Sequence, residues 1–276
     1  MTRKTRRRGL ALFGLLTGIV VAAMIGGGLF LAVRATHSRA ITPNCQAATP
    51  VGTASLDVDQ ATNATTIAAV GKRLGMPDHA VTIALAAALQ ESRLHNLAYG
   101  DRDSLGLFQQ RPSQGWGTPA QILIPASAAA SFYQHLGLVS GWQSLSVADA
   151  AQSVQHSASP DAYAQWETPA RAIAEALTGE VPAAFACHLP TTRTRSLAAG
   201  LTATMTSELG APGLGAVVTP AQGWTMASWL VGHATQYGIT AVAFNGQRWT
   251  PQSGAWKPAS TITTMATVEV TPPPVT

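Results

Sequence analysis

The sequence predicts a mainly α domain over residues 57–187, preceded by one transmembrane helix at 10–33 and followed by a small α+β module over 195–270. Three observations predict it. Residues 10–33 run for 24 positions without a charge, where about 20 apolar residues suffice to cross the hydrocarbon core of a bilayer. From Asp57 onward, Ala-rich apolar residues recur at helical spacing between glycine and proline stops. Beyond Cys187 the grammar changes, and β-branched runs with an Asn-Gly turn signal interleave with helical stretches.

Charge is distributed unevenly. Five of the 17 basic residues (Arg3, Lys4, Arg6, Arg7, Arg8) precede the apolar run, and the first acidic residue is Asp57. Setting those five aside with Arg34 and Arg39 leaves 10 basic against 13 acidic residues in the folded part. The formal net charge of +4 therefore belongs to the N-terminus, and no basic face for nucleic acid is expected. The same asymmetry puts segment 1–9 in the cytoplasm and everything after the span outside. The expectation is a single-pass protein of the cytoplasmic membrane that touches lipid through one span. Two other readings stand beside it, a cleavable signal ending near Ser38-Arg39-Ala40 and a twin-arginine signal at Thr5-Arg6-Arg7.

Residues 34–56 are rich in Ala, Thr and Pro and read as a stalk. A helix is expected from Asp57 to Leu74, stopped by Gly75. Asp78 suits an N-cap for the next, which runs to Ser92 and aligns Ile83, Ala87 and Glu91 on one face. Tyr99 to Gly117 is loop-like. Further helices are expected over Ser127–Leu136, Val147–Gln155 and Asp161–Leu177, the last kinked at Pro169 and capped by Ser159-Pro160. In the C-terminal module, Leu197, Leu201, Met205 and Leu209 mark a helix ending at Gly210, and Trp224 to Tyr237 marks another. Short strands are expected at Ala216–Val218, Ile239–Phe244, Gln247–Trp249 and Thr261–Val270, with Asn245-Gly246 as a hairpin turn.

An acid catalyst at a glycosidic bond must stay protonated near neutral pH, and Glu91 is placed for that. It closes an apolar helix, where the negative end of the helix dipole and partial desolvation both disfavour the carboxylate. Glu91-Ser92 is followed by Ser104-Leu105-Gly106-Leu107-Phe108-Gln109 and then Pro112. This resembles the soluble lytic transglycosylases: Glu-Ser ending a helix, then Gly-Leu-x-Gln and a proline, at that family's usual offsets. A second block, Gln155-His156-Ser157-Ala158-Ser159-Pro160 with Trp166, can be laid on the family's Ala-Tyr-Asn-Ala-Gly-Pro stretch. His156 then stands at the tyrosine position and Ser157 at the asparagine, and Ile124-Pro125 replaces the family's Asp-Pro.

The resemblance covers residues 57–180 and makes the mainly α domain a lysozyme-like one. It implies peptidoglycan glycan strands as partner and the β-1,4 link from N-acetylmuramic acid to N-acetylglucosamine as the bond cleaved. Glu91 would protonate the glycosidic oxygen and then act as base on the muramyl 6-hydroxyl, without a cofactor. Ser92, Ser104, Gly106, Leu107, Gln109, Gln110, His156, Ser157 and Tyr163 become candidate substrate contacts, Gly106 by close backbone approach and Gln109 as donor to an acetamido group. Asp101 and Asp103 are candidates for a second carboxylate, as hydrolysis would need. The other reading of Gly100-Asp101-Arg102-Asp103 is a turn with a local salt bridge. The rival function is a non-catalytic relative that binds glycan strands or cell-envelope protein partners.

Cys45 and Cys187 flank this segment, and a disulfide between them is expected outside the cytoplasm, two buried thiols being the alternative. Seven scattered histidines (His37, His79, His95, His135, His156, His188, His233) show no metal-ligand spacing, so no metal site is expected. Arg111 could pair with a peptide-stem carboxylate or form a structural salt bridge, and Trp116 and Trp142 could stack on sugar rings or belong to the core. Trp224, Trp229, Trp249 and Trp256 crowd the C-terminal module, which suits either cell-wall or partner binding or a structural role.

Overall fold

The first folded element is a strand. Asn44–Thr49 (β1) and Gly52–Leu56 (β2) form an antiparallel hairpin where a stalk was expected, and Phe185–His188 (β3) pairs with the other edge of β1. The stretch reads poorly as a strand because Ala, Gln and Asn carry little β preference. Its stability comes from pairing with a segment far along the chain. Side chains alternate, with Cys45 and Ala47 buried and Asn44, Gln46 and Ala48 exposed. Register sets Cys45 opposite Cys187, and the two form a disulfide. The computed structural model describes residues 42–157, 160–190, 200–210, 213–260 and 265–270.

Helices follow. Val58–Arg73 (α1) opens on a capping box in which Asp57 accepts from the Gln60 N–H and Gln60 from the Asp57 N–H, both at 2.8 Å. Asp78–Ser92 (α2) starts after Pro77, so Asp78 is its first residue rather than its cap, and it pairs with Lys72 at 2.7 Å. Pro119–Ile122 (α3), Pro125–Leu138 (α4) and Val147–Gln155 (α5) come next, then a 3-10 segment Pro160–Trp166 and Glu167–Leu177 (α6). Pro169 falls in the first turn of α6, where its missing N–H costs nothing. The change of helix type comes earlier, at Trp166. Helix α2 is the centre: Ala80 to Leu89 are all buried, and α5 and α6 pack closely against it.

Leu201–Leu209 (α7), Pro220–Gly232 (α8) and Ala234–Tyr237 (α9) lead into an antiparallel sheet of order β6-β5-β4-β7. Its strands are Ile239–Phe244 (β4), Gln247–Trp249 (β5), Trp256–Pro258 (β6) and Thr267–Val270 (β7). The Asn245-Gly246 turn has positive φ at both residues (46° and 74°), as a two-residue hairpin demands. Ala216–Val218 forms no strand, and Val217 is exposed. Leu197, Ser159 and residues 261–264, included in the sequence expectations above, lie outside the described residues.

The predicted architecture is corrected in one respect, and its transmembrane helix falls outside the described residues. Among the described residues no helix is long and apolar enough to cross a membrane, and the apolar run 10–33 lies outside them. The chain from Thr42 on clusters as one unit, so the C-terminal region does not stand apart as a module. Buried polar groups fasten it. Glu208 of α7 accepts from Thr66 of α1 at 2.9 Å and from the Trp229 indole of α8 at 2.8 Å. The Trp249 indole donates to the Cys187 carbonyl at 3.0 Å and the Trp256 indole to that of Phe185 at 2.8 Å, while Trp224 packs edge-on against Phe244 and Trp256. The tryptophans that crowd this region thus bond both within it and to β3. Burial raises the Glu208 carboxyl above its ordinary value and lowers the neighbouring His233 to about 4.

Candidate active site

Helix α2 ends abruptly just past Glu91. Arg93 and Leu94 both take left-handed conformations (φ 56° and 61°), and their N–H groups cap the carbonyls of Leu89 and Ala88. Neither is glycine, so each costs on the order of 1–2 kcal/mol. Tertiary contacts offset this: Leu94 is fully buried, and the amides of Gln60 and Asn63 donate to the Arg93 and Leu94 carbonyls at 2.9 and 2.8 Å. Of the seven non-glycine residues with positive φ among the described residues, four (Arg93, Leu94, Gln109, His156) sit on the segments that bracket Glu91. Strain gathered at one place in a fold points to function there.

Glu91 is half-buried, and the Tyr163 hydroxyl donates to its Oε1 at 2.5 Å. Gln155, the last residue of α5, hydrogen-bonds the same carboxyl and also donates to the Phe108 carbonyl at 2.8 Å. Ser157 in turn hydrogen-bonds Tyr163. Four segments thus converge: the end of α2, the end of α5, the 3-10 segment and the Phe108 loop. Burial pushes the Glu91 carboxyl above its ordinary value, and the bonds from Tyr163 and Gln155 oppose this without cancelling it. Tyr163 is itself raised, first by burial and then by the Glu91 charge, so it remains a phenol and a donor.

Such an arrangement both holds a proton and tolerates its loss. Desolvation favours the acid, and two positioned donors stabilise the carboxylate that proton transfer would leave. Replacing Tyr163 by Phe removes one of those donors, so the Glu91 acid should persist to higher pH. The alkaline limb of any rate carried by protonated Glu91 is expected to move upward, as a pH–rate profile beside the parent protein would record. An unmoved limb would mean that the bond does not tune Glu91.

The candidate contacts from the loop distribute differently from expectation. Ser92 is buried, and its hydroxyl donates to the Leu107 carbonyl at 2.7 Å, tying the Glu91 helix to the loop. Leu107 is core, and Ser104 is buried with its N–H on the Asp101 carbonyl. Gly106 has φ 76°, and a Cβ there would stand 2.8 Å from the Ile122 carbonyl oxygen. Its close approach is therefore to the protein's own backbone. Gln109 folds back, its amide donating to the carbonyls of Gly106 and Tyr99 at 3.2 and 3.3 Å. Gln110 is buried, donates to the Ala128 carbonyl at 3.1 Å, and pairs through its backbone with Leu105. His156 is exposed in the left-handed cap of α5.

Neither aspartate joins Glu91. Asp101 is exposed beside Arg102 at 3.8 Å. Asp103 accepts from the Ser113 N–H at 2.8 Å and the Arg111 guanidinium at 2.7 Å. These bonds, the Ser113 backbone first, hold it well below the usual carboxylate range, so it is ionised and structural. Arg111 is correspondingly committed to Asp103. Two residues that the candidate set lacks do belong here. Gln155 is the bridge between Glu91 and Phe108, and Gln90 accepts from the Trp166 indole at 2.8 Å while Arg93 lies 4.1 Å over that ring. Their neighbours in sequence were the only signal available. The tyrosine beside Glu91 comes from position 163, seven residues beyond the His156 that occupies the tyrosine position of the transglycosylase pattern.

Among the described residues no group of three or more His, Cys, Asp or Glu is placed to hold a metal ion. Comparison with known proteins brings no family model that matches the chain, and no curated protein matches it.

Proposed function

We propose that this chain cleaves glycan strands of peptidoglycan with Glu91 as the one general acid and base, in an oxidising compartment outside the cytoplasm. The observation that carries the reading is the desolvated Glu91 carboxyl held by Tyr163 and Gln155 at the end of α2. The disulfide supports the compartment. Glu91 gives its proton to the glycosidic oxygen between N-acetylmuramic acid and N-acetylglucosamine. The carboxylate left behind, stabilised by Tyr163 and Gln155, then takes the proton of the muramyl 6-hydroxyl as that oxygen closes on the anomeric carbon. One carboxylate completes both steps, and Asp103, locked ionised by Ser113 and Arg111, is not needed as a partner.

A lytic, anhydro-forming outcome follows in preference to hydrolysis, which would call for a second free carboxylate to activate water. A second reading is a glycan-binding domain without turnover, favoured by the inward-turned amide of Gln109. Mass analysis of purified peptidoglycan after incubation with the protein separates them. Anhydro-muropeptides are expected. Reducing ends would replace the transglycosylase chemistry by hydrolysis, and retention on peptidoglycan with no release would leave the binding reading alone.

A further inference from the structure

A cavity of about 300 Å³ is lined by the end of the loop that serves Glu91 together with α3 and α4. Only Gln109 separates Phe108, whose carbonyl receives the Gln155 amide, from Gln110, which lines this cavity. The two features are therefore at most about 7 Å apart along the backbone. Its lining holds no Asp, Glu, Lys or Arg, which disfavours a charged ligand. Trp116 forms part of the wall with His135 stacked on it, ring centres 3.8 Å apart, and the indole stays partly exposed.

The polar groups point to an occupant that brings N–H or O–H donors. Gln110 is 1% exposed, and its Oε1 is buried without a hydrogen-bond partner while its amide is spent on the Ala128 carbonyl. An orphaned buried acceptor costs on the order of 1–3 kcal/mol. Such a cost is readily explained if a ligand donor meets it. His135 donates from Nδ1 to the Ser131 carbonyl at 2.8 Å, since a carbonyl can only accept, which leaves Nε2 as its second polar ring atom. Ser127 and Ser131 add hydroxyls that work in either sense.

We infer that this cavity is a binding subsite for a neutral acetamido sugar. The acetamido N–H suits Gln110 Oε1, the ring hydroxyls suit His135 and the serines, and the apolar face of the sugar suits the exposed part of Trp116. The sugar identity rests on the glycan reading above, whereas the subsite itself requires no turnover.

The test uses the full chain carrying Glu91→Gln, titrated calorimetrically with β-1,4-linked N-acetylglucosamine oligomers and with their de-N-acetylated counterparts. The acetylated oligomers are expected to bind and the others not. Adding Trp116→Ala should weaken binding at least tenfold. Because Trp116 packs partly on the core, Gln134→Trp serves as a second variant, filling the cavity from an exposed rim position without touching the fold. It should weaken binding to the same degree. Equal affinity in all three proteins, equal affinity for the de-N-acetylated oligomers, or no binding at all would overturn the subsite. Peptidoglycan cleavage together with equal affinity sinks the subsite alone. Binding lost in both variants, with no cleavage by the parent protein, keeps the subsite and sinks the cleavage reading.

Discussion

Replacing Glu91 by Gln is expected to lower release of anhydro-muropeptides by about 10²–10⁴-fold, the usual worth of a general acid–base group. The glutamine keeps the shape and can still accept from Tyr163, so the fold should survive and substrate affinity should change little. The variant should also be more stable than the parent at neutral pH. Burial raises the folded-state Glu91 above its unfolded value, so the stability tied to its protonated form is complete below the unfolded value near 4.5 and is lost as pH rises through the folded one. Above that point the parent carries the cost of a desolvated charge that the amide avoids. Thermal midpoints of both proteins across pH would show the gap opening upward from about 4.5. A gap that is constant with pH, or full activity in the variant, would remove Glu91 from the chemistry.

Loss of the disulfide is the second large effect. Cys45 and Cys187 are 142 residues apart in sequence, and closing a loop of that length removes about 5 kcal/mol of entropy from the unfolded chain on the loop-closure model. That is comparable with the whole stability of many domains, roughly 5–15 kcal/mol. The double variant Cys45→Ala, Cys187→Ala should therefore unfold at far lower denaturant concentration than the parent. The damage should also spread beyond the small sheet, because β3 supplies the carbonyls that receive the Trp249 and Trp256 indoles. Urea titration followed by tryptophan fluorescence measures both. A difference below about 1 kcal/mol would mean that the pairing of β1 with β3 holds without the bond.

Helical segments were legible because their signals are local. The span of α5, the strand Ile239–Phe244 and the Asn245-Gly246 turn all follow from residues within a few positions of one another. Glu91 was legible for the same reason, as a carboxyl ending an apolar helix. The hairpin at 44–56 was not, since Ala, Gln and Asn declare no strand until β3 arrives to pair with them. The loop candidates show a different limit. Gly106, Gln109 and Asp103 were chosen for what their groups can do, but intramolecular partners within hydrogen-bond or contact distance already claim them.

What the sequence determined by itself is what short-range chemistry controls: helix spans, the hairpin turn, and the glutamate at the end of α2. The expectation of a disulfide was also right, because its grounds were compartment and cysteine number rather than geometry. Tertiary structure alone decided who stands beside Glu91. Tyr163 and Gln155 lie more than sixty residues away in sequence and reach the carboxyl only because α5 and the 3-10 segment fold against α2. The same packing made one unit of what reads as two, through buried bonds such as Thr66 to Glu208 that join the first helix to the C-terminal region. A side chain's chemistry is local, but its pKa and its partners depend on desolvation and on neighbours that only the folded chain brings near.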